Sequence, residues 1–131
     1  MAGATSVPPL LSLRRSGQSG IKTMQPNWGV VYTDSSYSTI AYLFGGARIN
    51  LSNMQAGDEI DIRIRKVVIP DGEWVLHDQR HYEGVQPTYH PSAAIGAIPD
   101  TYGVEIAMLQ GGGVMTTVEA EFYAAKILGT S

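Results

Sequence analysis

The sequence predicts an all-β protein: a single β-sandwich, jelly-roll-like or immunoglobulin-like, or a small barrel, with an extended N-terminal arm. About seven short segments are rich in β-branched and aromatic residues, and turn residues separate them. No stretch of ordinary helix length shows a period of 3.6 residues. A chain of 131 residues is expected to form one core without cross-links. The absence of cysteine excludes disulfides, thiol nucleophiles and cysteine-ligated zinc.

The arm is predicted to cover residues 1–20 and the sandwich residues 21–131. The arm is rich in Ala, Gly, Ser and Pro, has no sustained period and is not expected to fold alone. It is nevertheless too apolar for a plain solubilising tail, so we expect it to dock on its own domain or on a neighbouring molecule. Pro8 and Pro9 favour an extended shape. The residues expected to make assembly contacts are Val7, Leu10, Leu11, Leu13, Arg14 and Arg15.

The first half of the sandwich is predicted to begin with two strands, at residues 28–33 and 38–44. Asp34, Ser35 and Ser36 supply the turn between them, and Gly45 and Gly46 are expected to end the second strand. Residues 47–51 are a further candidate strand, and a turn follows at 53–57.

Residues 58–69 contain the clearest strand of the chain. Ile60, Ile62 and Ile64 alternate with charged residues, which predicts that the isoleucines face the core and the charges face water. The turn Pro70–Asp71–Gly72 then leads into a return strand at residues 73–82, which completes a hairpin.

The last third of the chain opens with a long segment, residues 83–101, which contains three prolines and is predicted to be irregular. Connections of this length are commonly functional. Residues 102–109 and 114–128 are the two closing strands, joined by a glycine-rich turn. In the last strand Val118, Ala120 and Phe122 are expected to point to the core.

Charge is divided unevenly along the chain. Residues 1–57 hold four cations and one acid, a net charge of +3, whereas residues 58–131 hold five cations and eleven acids, a net charge of −6. This pattern indicates contact between neighbouring copies, or between the arm and a polyanion. No segment has the order of a signal peptide or the length of a membrane span, so a soluble chain or part of an assembly is expected.

Three groups of residues could carry chemistry, and a structural interpretation is favoured for each. His77, Asp78, His81 and Glu83 are capable of binding metal, but His77 and His81 lie about 13 Å apart in a regular strand, so no metal or other cofactor is expected. Glu119 and Glu121 lie about 7 Å apart on one face, as surface strands commonly place acids. Gly111–Gly113 precede a strand, so no helix N-terminus is present there to bind phosphate. No catalytic residue is assigned, and the chain is not expected to be an enzyme.

The aromatic residues around the long loop could form a ligand or contact surface. Tyr82, Tyr89, His90 and Tyr102, with Trp74 nearby, could stack on sugars. Nucleic-acid binding is not expected, because the basic residues that it requires are scarce in this acidic half of the chain.

The order of these elements resembles a group of small β-sandwich proteins found among the virion structural proteins of viruses of bacteria and archaea. The resemblance covers residues 49–123. It consists of Ala56–Gly57–Asp58 before an alternating strand, a hairpin that ends in Tyr82 and Gly84, a proline-rich loop through Pro99 and two closing strands. It implies a capsid, decoration or minor capsid protein that acts by protein contacts and has no catalytic residues.

Two functions of different classes follow. The first is a structural protein of a virion, assembled in the host cytoplasm, whose arm links copies of itself or other shell proteins. The alternative is a carbohydrate-binding or adhesion module that binds a surface glycan through the tyrosines. A small hydrolase is a third and weaker hypothesis, because no nucleophile and base can be paired. Neither leading function requires a membrane.

Overall fold

The computed structural model describes the backbone of residues 10–35 and 39–128 and the side chains of residues 15–35 and 39–123. Within these residues ten strands form two sheets, and every strand pair is antiparallel. The strands are β1 (Leu10–Arg15), β2 (Gly20–Thr23), β3 (Gly29–Asp34), β4 (Tyr42–Asn50), β5 (Glu59–Val67), β6 (Trp74–Glu83), β7 (Ser92–Ile95), β8 (Ile98–Thr101), β9 (Gly103–Gly112) and β10 (Thr117–Leu128). No helix in this part of the chain is long and apolar enough to cross a membrane.

The strand order is that of a jelly roll. One sheet has the order β1-β10-β4-β7, with β2 also on β10 and β8 also on β4, and the other has the order β3-β9-β5-β6. The pairs are nested: β5 with β6, β4 with β7 and β8, β3 with β9, and β2 with β10. Such nesting is what a long hairpin produces when it is rolled into two sheets. The predicted all-β sandwich is confirmed, in its jelly-roll form.

The core lies between the two sheets and is built from the predicted alternation. Ile60, Ile62 and Ile64 of β5 are fully buried, and Phe122 of β10 faces them from the other sheet within the same cluster. The ring of Tyr32 packs against that of Phe122, with 5.0 Å between the ring centroids. Burial, with a smaller contribution from the charge of Asp34, raises the pKa of Tyr32 to about 12. The inward-facing assignments of the sequence analysis are therefore confirmed for both sheets.

Two local features differ from the sequence-based expectation. Gly45 and Gly46 do not end a strand, because β4 runs through them to Asn50. Gly46 adopts φ +115, and a Cβ there would lie 2.8 Å from the carbonyl oxygen of Ile95. Gly46 therefore allows a close approach of two backbones beside a register shift between β4 and β10.

The segment 83–101 is also more ordered than expected, because it contains β7 and β8. Each of these strands has four residues and pairs with β4. Pro99 lies within β8, where it is tolerated because β8 pairs with β4 alone among the described strands.

The predicted arm is in part a strand of the sandwich. β1 pairs with residues 123–128 of β10, Ser16 N donates to Phe122 O at 2.7 Å, and Phe122 N donates to Ser19 Oγ at 2.9 Å. The described part of the arm thus docks on its own domain, one of the two possibilities that the sequence analysis left open. Val7 lies outside the described residues, as do the side chains of Leu10, Leu11, Leu13 and Arg14. The side chain of Arg15 is exposed.

Candidate functional site

Exposed apolar side chains are concentrated at the turn end of the β5–β6 hairpin, and we call this region the tip surface. Its members are Val68, Ile69, Val75 and Leu76, and Ile69 is 61% exposed. The turn itself is ordered: Gly72 N donates to Ile69 O at 3.0 Å, and Asp71 has φ 52. Exposed apolar patches on soluble domains commonly mark interaction sites. The tip surface is therefore a candidate contact surface.

Other parts of the chain meet at the same end of the sandwich. Tyr102 N donates to Val67 O at 2.9 Å, and the hydroxyl of Tyr42 donates to Asp34 O at 3.0 Å. Ile40 precedes β4 at this end and is also exposed. β10 passes the start of β4 at Ala124, which is opposite Phe44, and continues to Leu128, which is opposite Leu10. Both ends of the described chain therefore also lie at this end of the sandwich.

The four residues predicted to form a ligand or contact loop do not share one surface. Tyr82 is half-buried and packs on the core, whereas Tyr89 is 90% exposed. His90 is exposed beside Tyr89, in the loop between β6 and β7. Tyr82 and Tyr102 lie beside opposite ends of β5, a separation of about 23 Å for seven residues of a strand. The structure brings Tyr89 and His90 together and places Tyr82 and Tyr102 apart.

A charged group lies on the outer face of β5 and β9. Glu105 is only 8% exposed and accepts hydrogen bonds from Arg65 Nε at 2.9 Å and Nη2 at 2.5 Å. Arg63 Nη2 lies 3.8 Å from the same carboxylate oxygen, and the Arg63 guanidinium lies 4.6 Å from the ring centroid of Trp28. These contacts stabilise an otherwise costly buried carboxylate.

A second polar group lies on the same outer face, farther from the tip surface. Asp61 lies directly opposite His81, and Glu59 lies directly opposite Glu83. His81 Nδ1 contacts Asp61 Oδ1, while His81 Nε2 lies 2.9 Å from Glu83 Oε1 and 3.5 Å from Glu59 Oε1. The hydrogen bond to Asp61, followed by that to Glu83, raises the pKa of His81.

The sequence analysis identified only half of this group. It considered His77, Asp78, His81 and Glu83, all on β6, but a register shift in the β5–β6 ladder falls at His77. His77 is not among the ligands that converge with His81. Glu59 and Asp61 were missed because they belong to the neighbouring strand, and only the register shows which side chains are opposite.

Asp78 and Arg80 form a separate ion pair on β6. Arg80 Nε donates to Asp78 Oδ2 at 2.8 Å, and this hydrogen bond lowers the pKa of Asp78. Arg80 Nη1 also donates to Ala94 O on β7, so this side chain links the two sheets.

The remaining candidates keep their structural interpretation. Glu121 accepts a hydrogen bond from the hydroxyl of Tyr123, which raises the pKa of that tyrosine, and Glu119 is exposed. Gly113 has φ +81 at the turn between β9 and β10, where the sequence analysis placed a hairpin connection.

The fold has counterparts among solved structures, although no family model and no curated protein matches the chain. The crystal structure of PirA is similar with a TM-score of 0.57 at 16% identity, over 84% of this chain and 96% of that one. The infectious bursal disease virus VP2 subviral particle is similar with a TM-score of 0.51 at 11% identity, over 92% of this chain and 33% of that one. This chain thus matches about a third of the length of VP2. At these identities the likeness shows a shared fold, which a protein of a viral particle also has.

Proposed function

We propose that this chain is a structural component of a virus particle that acts through contacts with copies of itself and with other shell proteins, without catalysing a reaction. The observation that carries the proposal is the tip surface, a group of exposed apolar side chains on an ordered hairpin at one end of a jelly roll. The similarity in fold to the VP2 subviral particle supports it, as does the resemblance noted over residues 49–123. Such a component is assembled in the host cytoplasm and carried in the virion.

The tip surface provides enough apolar contact to matter. Full burial of a Val, Leu or Ile side chain stabilises by about 1.5–3 kcal/mol. Val75 and Leu76 are consecutive in β6 and therefore lie on opposite faces of the sheet. A contact on one face thus covers only part of the tip surface and can contribute about 2 kcal/mol. The second strand of this hairpin, β6, is the edge strand of its sheet in the described structure. Unpaired edges favour association with another chain. By contrast, the edge of β3 is occupied: the Gln18 side chain exchanges two hydrogen bonds of 2.9 Å with the backbone of Thr33.

The N-terminal residues provide a second contact in this proposal. β1 begins at the tip end of the sandwich, and nine residues precede it. Val7 adds apolar character, and Pro8 and Pro9 favour an extended chain suited to lying across a neighbouring copy. The acidic second half of a neighbour attracts Arg14 and Arg15, which sets orientation more than affinity.

The experiment is a pair of matched substitutions followed by size measurement. Ile69→Glu places a charge in the tip surface, whereas Val114→Glu places the same charge at a residue that is 85% exposed at the other end of the sandwich. We expect the unaltered chain and Val114→Glu to assemble in light scattering, and Ile69→Glu to remain monomeric with an unchanged circular dichroism spectrum. A monomeric unaltered chain, or equal assembly of both variants, would refute the proposal.

The carbohydrate-binding alternative retains one observation in its favour, the 90% exposure of Tyr89 on the loop between β6 and β7. A single exposed ring can stack on a sugar. If this function is correct, Tyr89→Ala should abolish binding to a glycan array while Tyr102→Ala leaves it intact. Absence of binding by the unaltered chain would exclude this alternative.

A further inference from the structure

The geometry points to a divalent-metal site on the outer face of β5 and β6, with Glu59, His81 and Glu83 as ligands to an ion of the Zn²⁺ class. This site lies near the opposite end of the hairpin from the tip surface and is independent of the proposed assembly function. Its ligands come from two strands, so they are not adjacent in the sequence.

The three ligand atoms converge as a metal requires. One imidazole nitrogen and two carboxylate oxygens all lie within 4.8 Å of one another. His81 Nε2 is 2.9 Å from Glu83 Oε1 and 3.5 Å from Glu59 Oε1. Two ligands that are each about 2.1 Å from a tetrahedral ion lie about 3.4 Å apart. The two distances from His81 are within about half an ångström of this value, and the two glutamate oxygens need to approach each other by at most about 1.4 Å.

The second nitrogen of His81 is held in the way that metal-binding histidines are held. Asp61 lies opposite His81 and contacts Nδ1. A carboxylate in this position accepts a hydrogen bond from Nδ1–H, orients the ring and leaves Nε2 available to a metal. Asp61 is thus a positioning residue, and Nε2 faces the two glutamates.

The backbone sets the spacing of the ligands before any metal binds. Glu59 and Glu83 are directly opposite in the ladder, and Gly84 N donates to Asp58 O at 2.8 Å just beyond them. Gly112 lies next to Glu59 on β9, where a Cβ would come within 2.6 Å of Glu59 Oε2. The missing side chain leaves room for the carboxylate, so the site is formed by strand register rather than by a mobile loop.

Charge and donor type indicate the class of ion. Three carboxylates surround one imidazole, and the next outward-facing cation of β5, Arg63, contacts Glu105 and Trp28. A divalent cation relieves the electrostatic repulsion among these three carboxylates. A mixed imidazole and carboxylate set suits Zn²⁺ and its congeners, whereas Ca²⁺ takes six to eight oxygens. The ligand side chains are partly exposed, which leaves coordination positions for water.

The test is calorimetric titration of the intact, tag-free chain with Zn²⁺ at about pH 8, because competition by protons for the histidine weakens as pH rises, with Co²⁺ absorption as an independent readout. We expect one ion per chain. His81→Ala and Glu83→Gln should each weaken binding at least about 100-fold, and Asp61→Asn should weaken it about 10–100-fold. His77→Ala is the matched control, since it removes a histidine from the same strand, and it should bind as the unaltered chain does.

Several results would overturn the site. These are no binding by the unaltered chain, an equal loss in His77→Ala and His81→Ala, or unchanged binding in His81→Ala with loss in Glu83→Gln, which would indicate an ion held by carboxylates alone. Circular dichroism excludes misfolding of these surface variants. Ile69→Glu should bind Zn²⁺ normally, so failure of the assembly proposal and failure of the metal site are distinguishable.

Discussion

Replacement of Ile62 by Ala tests the central packing of the jelly roll. Ile62 is fully buried on β5, and in register it lies between Arg80 of β6 and Met108 of β9. The substitution removes three carbon atoms, which costs about 2.4 kcal/mol at about 0.8 kcal/mol per buried CH₂. Because ladders on both sides hold the backbone of β5, the cavity cannot collapse fully, and the total should reach about 3–5 kcal/mol.

Urea unfolding followed by circular dichroism measures this loss at a fixed chain concentration, because assembly adds concentration-dependent stability. With an unfolding entropy of about 2.1 cal/mol/K per residue, each kcal/mol lowers Tm by about 3.6 °C, so Tm should fall by about 11–18 °C. Val85→Ala, at an exposed residue outside the tip surface, should change stability by less than about 1 kcal/mol. A loss below about 1 kcal/mol in Ile62→Ala would show that the facing of β5 is wrong.

Four further predictions follow from particular contacts. Gly113→Ala should destabilise by about 1–3 kcal/mol in thermal melts, because a side chain there meets both positive φ and a buried carboxylate, whereas Gly17→Ala, in open space, should be neutral. Glu105→Ala leaves two arginines without their shared carboxylate and should cost about 1–3 kcal/mol in urea unfolding. Because the pKa of Tyr32 rises from 10.0 to about 12 on folding, its neutral form stabilises the fold below pH 10 and this contribution is lost as pH rises towards 12. Tyr32→Phe should therefore show a shallower loss of stability across that range, and an unchanged profile would argue against this cause. Deletion of residues 1–20 removes β1 from β10, so it should lower Tm as well as assembly.

The deletion prediction rests on a contact that the sequence did not reveal. The composition of residues 1–20 predicts a segment that docks on its own domain or on a neighbouring molecule, and it does not identify the strand with which the segment pairs. The structure pairs residue 10 with residue 128, a contact between the two ends of the chain. Local patterns carry no information on such a partner, because strand pairing is decided by the whole sheet.

The sequence by itself determined the fold class and the facing of the strongly alternating strands. Ile60, Ile62 and Ile64 alternate with charges, and Phe122 and its neighbours alternate with acids, because side chains of a strand point to opposite faces with a period of two. Turn residues separated the strands for the same local reason. The sequence also predicted a β-sandwich or small barrel, because no stretch showed a helical period.

The tertiary structure alone decided which strands pair and which polar side chains meet. The jelly-roll nesting, the continuation of β4 through Gly46 and the docking of β1 on β10 all depend on partners distant in the sequence. The same is true of the metal site, where Glu59 and His81 are separated by 22 positions and meet only because β5 and β6 pair in one register. A register shift of one residue would turn every side chain of a strand to the other face, so cross-strand chemistry cannot be read from periodicity alone.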